Sequence, residues 1–318
     1  MMLRANGIDL HVEQRGAGSP ALIFLHYWGG SSRTWRHVVD RMAPDFRTIA
    51  IDQRGWGRSE APASGYALAD LANDAQAIAE ALDLERYVIV GHSMGGKVAQ
   101  LIASRRPRGL VGVALVAPAP PGPLDLPLTV REGMVRAYAT RESIIATVEQ
   151  VLAPRGLDPD DLETVIADSL AGAEAAKEAW PLFTSQEDIA SGLAGIEVPV
   201  FVMSGEHDRV DPPAVLEREI LPRLAQAQLH VLPQTGHLSP YEAPDEIAWL
   251  VRAFALSLTD DLSTLPANDG GVVGPRCTWC GMSLAAAAAA RLERLRTRIL
   301  EGAPTTHELE KHEAARRG

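Results

Sequence analysis

The stretch RYVIVGHSMGGKVAQLIA, Arg86–Ala103, joins an apolar run to a helical pattern through a very short turn. The first part has the composition of a buried strand, and the last part spaces its apolar residues by three and four, as a helix does. Between them stands the G-x-S-x-G sequence Gly91-His92-Ser93-Met94-Gly95. Small residues at Gly91 and Gly95 let the backbone pass close by, so this pattern places a serine hydroxyl on a tight strand-to-helix turn. The stretch therefore predicts a nucleophile at Ser93.

Short apolar runs alternate with helix-period segments along most of the chain. The runs are GIDLHVEQ, ALIFLH, RTIAID, RYVIVG, GVALVAP, PVFVMSG and AQLHVLP. Continuous Val, Ile and Leu runs are typical of strands that are buried on both faces, as in a parallel sheet covered by helices. We therefore predict an α/β fold with a mostly parallel central sheet flanked by helices.

The alternation breaks at PAPPGPLDLP, and the next strand-like run is PVFVMSG. The segment between them is helical in character, which predicts a helical cap at about residues 120–192, inserted over the carboxyl edge of the sheet. Ligands of open α/β sheets bind at that edge, so such a cap would shape the pocket. Four large side chains of the segment are expected to pack in the core rather than to line the pocket: Met134, Tyr138, Trp180 and Phe183.

The composition changes again near Thr259. We expect one domain at residues 1–258, and a linker with a helical C-terminal appendage at residues 259–318. The appendage contains Cys277-x-x-Cys280, and His307 and His312 follow it, which are residue types that bind zinc. The loop between the pairs is much longer than that of a zinc finger, so we predict no metal site and a functionally silent tail.

The charge and hydropathy of the chain limit its partners. A net charge of -11 and a pI near 5.3 argue against a nucleic-acid footprint, which needs a clustered basic face. No window has the ~18 apolar residues of a membrane span, and the first residues do not form a signal peptide. We expect a cytoplasmic protein that binds neither nucleic acid nor membrane.

A serine hydroxyl is a weak nucleophile at neutral pH, so it needs a base and a group that orients the base. Candidates follow two later strand-like runs: His237 comes after AQLHVLP, and three carboxylates come after PVFVMSG. All of them stand past the carboxyl ends of predicted strands, at the same edge as Ser93. The spacing alone leaves Glu206, Asp208 and Asp211 open as the partner of the histidine.

Residues from about 5 to 258 resemble the α/β-hydrolase superfamily, and in particular its esterase-like members with a helical cap. Four motifs carry the resemblance, in the family's order: DQRGWGRS, GHSMGG, SGEHDRVDP and TGHLSPYEAP. The resemblance implies that Ser93 is the nucleophile, that His237 is the general base and then the acid, and that Asp208 orients the imidazole. It also implies that no cofactor is needed.

The tetrahedral oxyanion of such a reaction needs two hydrogen-bond donors. The backbone N–H of Met94, directly after the nucleophile, is expected to be one. The second is expected from the loop HYWGG after ALIFLH, where the family usually has H-G-x. The resemblance points to Trp28, but Tyr27 stands where glycine is usual, so the donor is one of these two. We also expect at least one of the two aromatic side chains to form a wall of the acyl pocket.

The predicted function is hydrolysis of a small carboxylic ester or related acyl compound through an acyl-enzyme on Ser93. The same three residues would also serve a cofactor-free haloperoxidase or perhydrolase, a lactonase, a carbon-carbon bond hydrolase or an acyltransferase. Outside enzymes, a ligand receptor with a hydrolase fold is the remaining alternative. The expected partner is a small-molecule acyl substrate.

Overall fold

The computed structural model describes residues 1–224 and 227–259. Met1–Ala255 form one compact unit, and a second unit begins at Leu256. The predicted linker and appendage lie outside the described residues, and so do Cys277, Cys280, His307 and His312. The predicted domain boundary at residue 258 and the silent role of the tail therefore stay predictions.

Eight strands form a single sheet in the order β1-β2-β4-β3-β5-β6-β7-β8. The strands are β1 Met2–Ala5, β2 Ile8–Arg15, β3 Ala21–Leu25, β4 Thr48–Ile51, β5 Tyr87–His92, β6 Leu110–Val116, β7 Val200–Gly205 and β8 Gln228–Leu232. The pairs from β4 to β8 are all parallel, while β1 and β2 make the antiparallel edge. The predicted α/β fold with a mostly parallel sheet is confirmed.

Strand β1, which pairs with β2 in a hairpin, was not predicted from the sequence. The turn between them is Asn6-Gly7, and both residues have positive φ, 48° and 80°. Asn-Gly is the preferred pair for such a turn, because both of its central positions are left-handed. That signal was present, but a strand of four residues shows too little alternation to be recognised from its pattern.

Ten α-helices lie within the described residues. They are α1 Arg36–Met42, α2 Leu68–Ala81, α3 Met94–Ser104, α4 Leu128–Val135, α5 Arg141–Thr147, α6 Pro159–Ala171, α7 Glu174–Leu182, α8 Pro213–Glu219, α9 Ser239–Glu242 and α10 Pro244–Ser257. Shorter helical turns are Ser32–Trp35, Arg136–Tyr138, Val148–Leu152, Thr184–Gln186, Ala190–Gly195 and Leu221–Arg223. Helices α4–α7 lie between β6 and β7 in the chain, in the segment predicted to form a cap.

The helices of the described part are all too short or too polar to cross a membrane.

The centre of the sheet is buried on both faces. Every residue of β3 and β5 is buried, and so is every residue of β7. Helix α3 packs on β5 and β6, and α2 packs on α3. This burial explains why the central strands are continuous apolar runs in the sequence.

A buried ion pair anchors the loop after β4. Arg54 Nε donates to Asp74 Oδ2 at 2.6 Å, and Arg54 Nη2 donates to the other carboxylate oxygen, Oδ1, also at 2.6 Å. Asp74 lies on α2. Asn6 of the β1–β2 turn also donates to Asp74, at 2.8 Å. One carboxylate thus joins a helix, a loop and the edge hairpin. Bidentate arginine–carboxylate pairs have this geometry and are strong when all their groups are satisfied.

Replacing Asp74 by Ala should strongly destabilise the fold, because it leaves the Arg54 guanidinium buried without its charge partner. We expect the free energy of unfolding to fall by about 3–5 kcal/mol. Asp40→Ala is the matched control, since Asp40 pairs with Arg15 on an exposed surface and should cost less than about 1 kcal/mol. Urea denaturation followed by circular dichroism measures both. Equal losses in the two variants would contradict this account of Asp74.

Candidate active site

Ser93 stands between β5 and α3 in a left-handed backbone conformation, with a φ of 53°. Few non-glycine residues adopt such a φ, and the strain costs about 1–3 kcal/mol. Hydrogen bonds on both sides hold it there: its N–H donates to the Val116 carbonyl at 3.1 Å, and its carbonyl accepts from the Ala119 N–H at 3.1 Å. The sharp turn places the side chain where β5 ends.

The two glycines of the motif are required by close backbone contacts. A Cβ on Gly95 would lie 2.5 Å from the Leu25 carbonyl oxygen and 2.7 Å from that of His26. A Cβ on Gly91 would overlap the Gly95 carbonyl. The backbone around Ser93 therefore packs against the end of β3 with no room for a side chain, as the motif predicted.

Three loops bring Ser93, His237 and Asp208 together. The Nε2 of His237 lies 2.9 Å from the Ser93 hydroxyl, and its Nδ1 lies 2.9 Å from Asp208 Oδ2. The other oxygen of Asp208 accepts the backbone N–H groups of Val210 and Asp211, at 2.8 and 3.0 Å. All three side chains are buried. This is the order and spacing in which a carboxylate orients an imidazole toward a hydroxyl.

The other two carboxylates of the same segment do not contact the imidazole. Glu206 is exposed and accepts the backbone N–H of Gln234 at 2.8 Å. Asp211 is buried, but its link to this group of residues is through its backbone N–H, which donates to Asp208. The structure thus places Asp208, among the three candidates, against His237.

The backbone of His237 is fixed by groups outside the motif. His92 Nε2 lies 2.7 Å from the His237 carbonyl, and the His237 N–H donates to the Leu152 carbonyl at 2.7 Å. Burial, together with the nearby His237, lowers the pKa of His92 well below its usual value. The neutral His92 ring then donates from Nε2. Leu152 stands in the segment between β6 and β7, and its role was not predicted from the sequence.

Two opposing effects set the pKa of His237. Burial lowers the pKa, whereas the charge of Asp208 and its hydrogen bond to the ring raise it. The raising effects are larger together, so the pKa of His237 lies above its ordinary value of 6.5. Asp208 therefore favours an imidazole that has taken up a proton. A histidine that has to accept a proton from a neighbouring hydroxyl gains basicity from this arrangement.

The loop after β3 carries the aromatic residues of HYWGG. Tyr27 and Trp28 are both buried and both line the cavity that contains Ser93. The Tyr27 ring packs against His92 with 5.2 Å between centroids, and Trp28 packs against Tyr138 at 4.3 Å. Within the described residues, no hydrogen bond uses the backbone N–H of Tyr27 or Trp28, nor that of Met94. All three predicted donors are therefore uncommitted.

Hydrogen bonds join this loop to the segment between β6 and β7. The Tyr138 hydroxyl donates to the Trp28 carbonyl at 3.0 Å, and the Trp28 indole N–H donates to the Lys177 carbonyl at 3.1 Å. Ser169 donates to the Gly29 carbonyl at 2.9 Å. The loop at the predicted oxyanion site is thus held from the cap side as well as by its own strand.

A carboxylate of α6 extends this connection. Asp168 is buried and accepts the Ser31 hydroxyl at 2.8 Å and the Arg33 Nε at 3.1 Å. Since Ser31 and Arg33 come just after HYWGG, these bonds fix the C-terminal end of the loop. The sequence did not indicate this contact, because the partners are more than a hundred residues apart.

The loop DQRGWGRS supports the same segment from the sheet side. Asp52 Oδ1 accepts the Ser32 N–H at 2.6 Å, and the Gln53 side chain donates to the His26 carbonyl at 2.8 Å. His26 Nδ1 lies 2.7 Å from the Tyr27 carbonyl, while its Nε2 accepts the Gln53 N–H at 3.0 Å. This motif therefore positions the aromatic loop without reaching Ser93 itself.

A cavity of about 890 Å³ contains Ser93. Its walls are mostly apolar and come from the loops after β3 and β6, from the segment between β6 and β7, and from the loop after β7. The volume suits a small organic ligand. Among the described residues, no three His, Cys, Asp or Glu side chains are grouped as metal ligands would be.

The expected core packing is confirmed for Tyr138 and Trp180 and is wrong for Phe183, and three of the four side chains also line the cavity. Met134, Tyr138 and Trp180 line the cavity, and Tyr138 and Trp180 are also part of the buried core. Phe183 does neither, since it is 69% exposed. Side chains on the inner face of the cap belong both to the core and to the cavity wall. Helix periodicity shows which face is buried, but not whether that face borders a cavity.

The sequence model described as the alpha/beta hydrolase family matches residues 22–248, which is more than half of the chain. The chain belongs to this family. Its relatives and structural neighbours include esterases and lactonases, and this chain is an α/β-hydrolase enzyme.

Known relatives agree with this assignment. An AB hydrolase superfamily protein of Bacillus subtilis is 26% identical over 260 residues, covering 79% of this chain and 96% of that protein. A non-heme chloroperoxidase of Streptomyces lividans is 31% identical over 233 residues, covering 65% and 81%. An esterase from Exiguobacterium antarcticum has the same fold, with a TM-score of 0.75 and 21% identity over 80% of this chain and 99% of that one.

Replacing Tyr138 by Phe should slow turnover, because it removes the hydrogen bond that holds the Trp28 carbonyl. We expect kcat for p-nitrophenyl butyrate to fall about tenfold, with a stability loss of about 1 kcal/mol. Tyr66→Phe is the matched control, since its hydroxyl donates to Pro62 away from this loop. Similar kcat values in the two variants would contradict a positioning role for Tyr138.

Proposed function

We propose that this enzyme hydrolyses small carboxylic esters through an acyl-enzyme on Ser93. The observation that supports the proposal most directly is the pair of 2.9 Å contacts that joins Ser93 to His237 and His237 to Asp208. These contacts are made beside an apolar cavity large enough for a small ester. The esterase fold of the Exiguobacterium neighbour agrees with this choice.

In the first half of the reaction, Ser93 Oγ attacks the ester carbonyl while His237 Nε2 takes the hydroxyl proton. The carbonyl oxygen becomes an oxyanion, which accepts hydrogen bonds from the Met94 N–H and from the N–H of Trp28 or Tyr27. Each such donor is worth about 3–4 kcal/mol of transition-state stabilisation. His237 then gives its proton to the departing alkoxide, and the acyl group stays on Ser93.

In the second half, water takes the place of the alcohol. His237 removes a proton from the water, whose oxygen attacks the acyl carbonyl, and the Ser93–acyl bond breaks as His237 returns the proton to Oγ. Asp208 stabilises the imidazolium that forms twice in each cycle. Burial of the three side chains strengthens these interactions by excluding water.

The same groups would serve a perhydrolase, in which hydrogen peroxide replaces water in the second half. The likeness to the Streptomyces chloroperoxidase favours this as the second candidate. Both reactions share the acyl-enzyme and differ in its acceptor. Rates measured with and without hydrogen peroxide therefore distinguish them. The predicted cytoplasmic location and the lactonase and carbon-carbon hydrolase alternatives stay predictions.

Ester hydrolysis by the wild type and by variants of Ser93 and Asp208 tests the proposal. With p-nitrophenyl acetate and butyrate, Ser93→Ala should lose nearly all activity. Asp208→Asn should lose about 10⁴-fold in kcat, because an amide favours the wrong imidazole tautomer and does not stabilise the imidazolium. Glu206→Gln is the matched control and should keep full activity. Equal rates in wild type and Ser93→Ala would contradict the proposal.

A further inference from the structure

Asp211 is a carboxyl group that the proposed mechanism does not use. It stands three residues after Asp208, is only 3% exposed, and lines the same cavity as Ser93. Its backbone N–H is bonded to Asp208 Oδ1 at 3.0 Å, so its position relative to the reacting groups is fixed. Within the described residues, its carboxyl oxygens take part in no hydrogen bond and no ion pair.

A buried carboxyl without a partner is costly when ionised and still costly when neutral, since its O–H has no acceptor. Burial raises the pKa of Asp211 to about 8, with the positive charge on His237 opposing the shift, the carboxylate of Asp208 adding to it and Lys97 opposing it. At neutral pH the group therefore carries a proton and is a hydrogen-bond donor.

Within the described residues, no group of the cavity wall is hydrogen-bonded to the Asp211 carboxyl. Apolar side chains there include Leu124, Met134 and Leu152. The charged residues that line the same cavity are Asp125, Asp188, Arg209, Arg218, Glu219 and Arg223. Arg218 and Arg223 are both paired with Glu219, and Asp188 accepts the N–H of Ala190. A molecule that occupies the cavity can supply the acceptor that the Asp211 O–H lacks.

We propose that Asp211 is a specificity-determining residue that donates a hydrogen bond from its carboxyl group to an oxygen of the substrate outside the scissile ester. The inference deepens the proposed function and rests on it. It narrows the substrate class from simple alkyl esters to esters that carry a second oxygen acceptor, such as an ether, hydroxyl or carbonyl group.

A site built to hydrogen-bond a substrate oxygen discriminates against the analogue that lacks it, because its own polar group is then left buried and unpaired. An Asp211 carboxylate would lose this property, since an ionised carboxylate only accepts hydrogen bonds. The preference should therefore be present below the pKa of Asp211 and disappear as the pH rises through about 8.

The test compares esters that differ by one CH₂-to-oxygen replacement. For the acyl half the pair is p-nitrophenyl pentanoate and p-nitrophenyl ethoxyacetate, and for the alcohol half it is butyl acetate and 2-methoxyethyl acetate. The readout is the ratio of kcat/KM for the oxygen-containing ester to that for its partner. Dividing the wild-type ratio by the variant ratio cancels the intrinsic reactivity of the esters.

Asp211→Leu should lower this ratio about 5- to 10-fold in at least one pair, the size expected for one neutral hydrogen bond. Asp211→Asn keeps an N–H donor and should change the ratio less than about threefold. Asp40→Leu is the matched control, because this exposed carboxylate lies outside the cavity, and its ratio should equal that of the wild type.

The proposal is overturned if Asp211→Leu leaves both ratios unchanged while the wild type hydrolyses the esters. Failure of the proposed function is a different result, in which the wild type hydrolyses none of the four. Should Asp211→Leu not fold, the wild-type ratio between pH 7 and pH 9.5 decides: a fall supports the role of Asp211, and a constant ratio excludes it. The ratio of Asp211→Asn should stay constant over the same range.

Discussion

Ser93, at the end of β5, has a strained φ of 53°, and the surrounding packing and hydrogen bonds must hold its backbone in that conformation. Gly95 allows the chain to pack against the end of β3, and Gly91 allows β5 to pack against the first turn of α3. Hydrogen bonds to Val116 and Ala119 hold Ser93 on both sides. These contacts offset a strain of about 1–3 kcal/mol. The Ser93 hydroxyl then lies at the sheet edge where the loop after β7 places Asp208 and the loop after β8 places His237.

The segment between β6 and β7 contributes to the site more than a cover would. The Leu152 carbonyl accepts the backbone N–H of His237, and the Tyr138 hydroxyl holds the carbonyl of Trp28. The proposed base and the proposed oxyanion loop are thus both bonded to the same insertion. Because both are bonded to the cap, movement of the cap would disturb His237 and the loop of Trp28 together. Each of these neutral hydrogen bonds is worth about 1 kcal/mol.

Local pattern explains which parts of this molecule could be predicted from sequence. Ser93 could be predicted because a short motif marks it, and the parallel strands could be predicted because they are continuous apolar runs. The choice of Asp208 over Glu206 and Asp211 depended on family resemblance, because carboxylates two or three residues apart look alike until the fold aims one at the imidazole. The contact of Tyr138 with Trp28 could not be predicted from local pattern, because it joins residues 110 positions apart.

The central claim is that Ser93 is a nucleophile activated by His237. Intact-protein mass spectrometry after reaction with a fluorophosphonate, followed by peptide mapping, tests it most directly. The account predicts one phosphonyl adduct, located on Ser93, that forms rapidly in the wild type and far more slowly in His237→Ala. An adduct on another residue, or a wild type that stays unmodified, would contradict it.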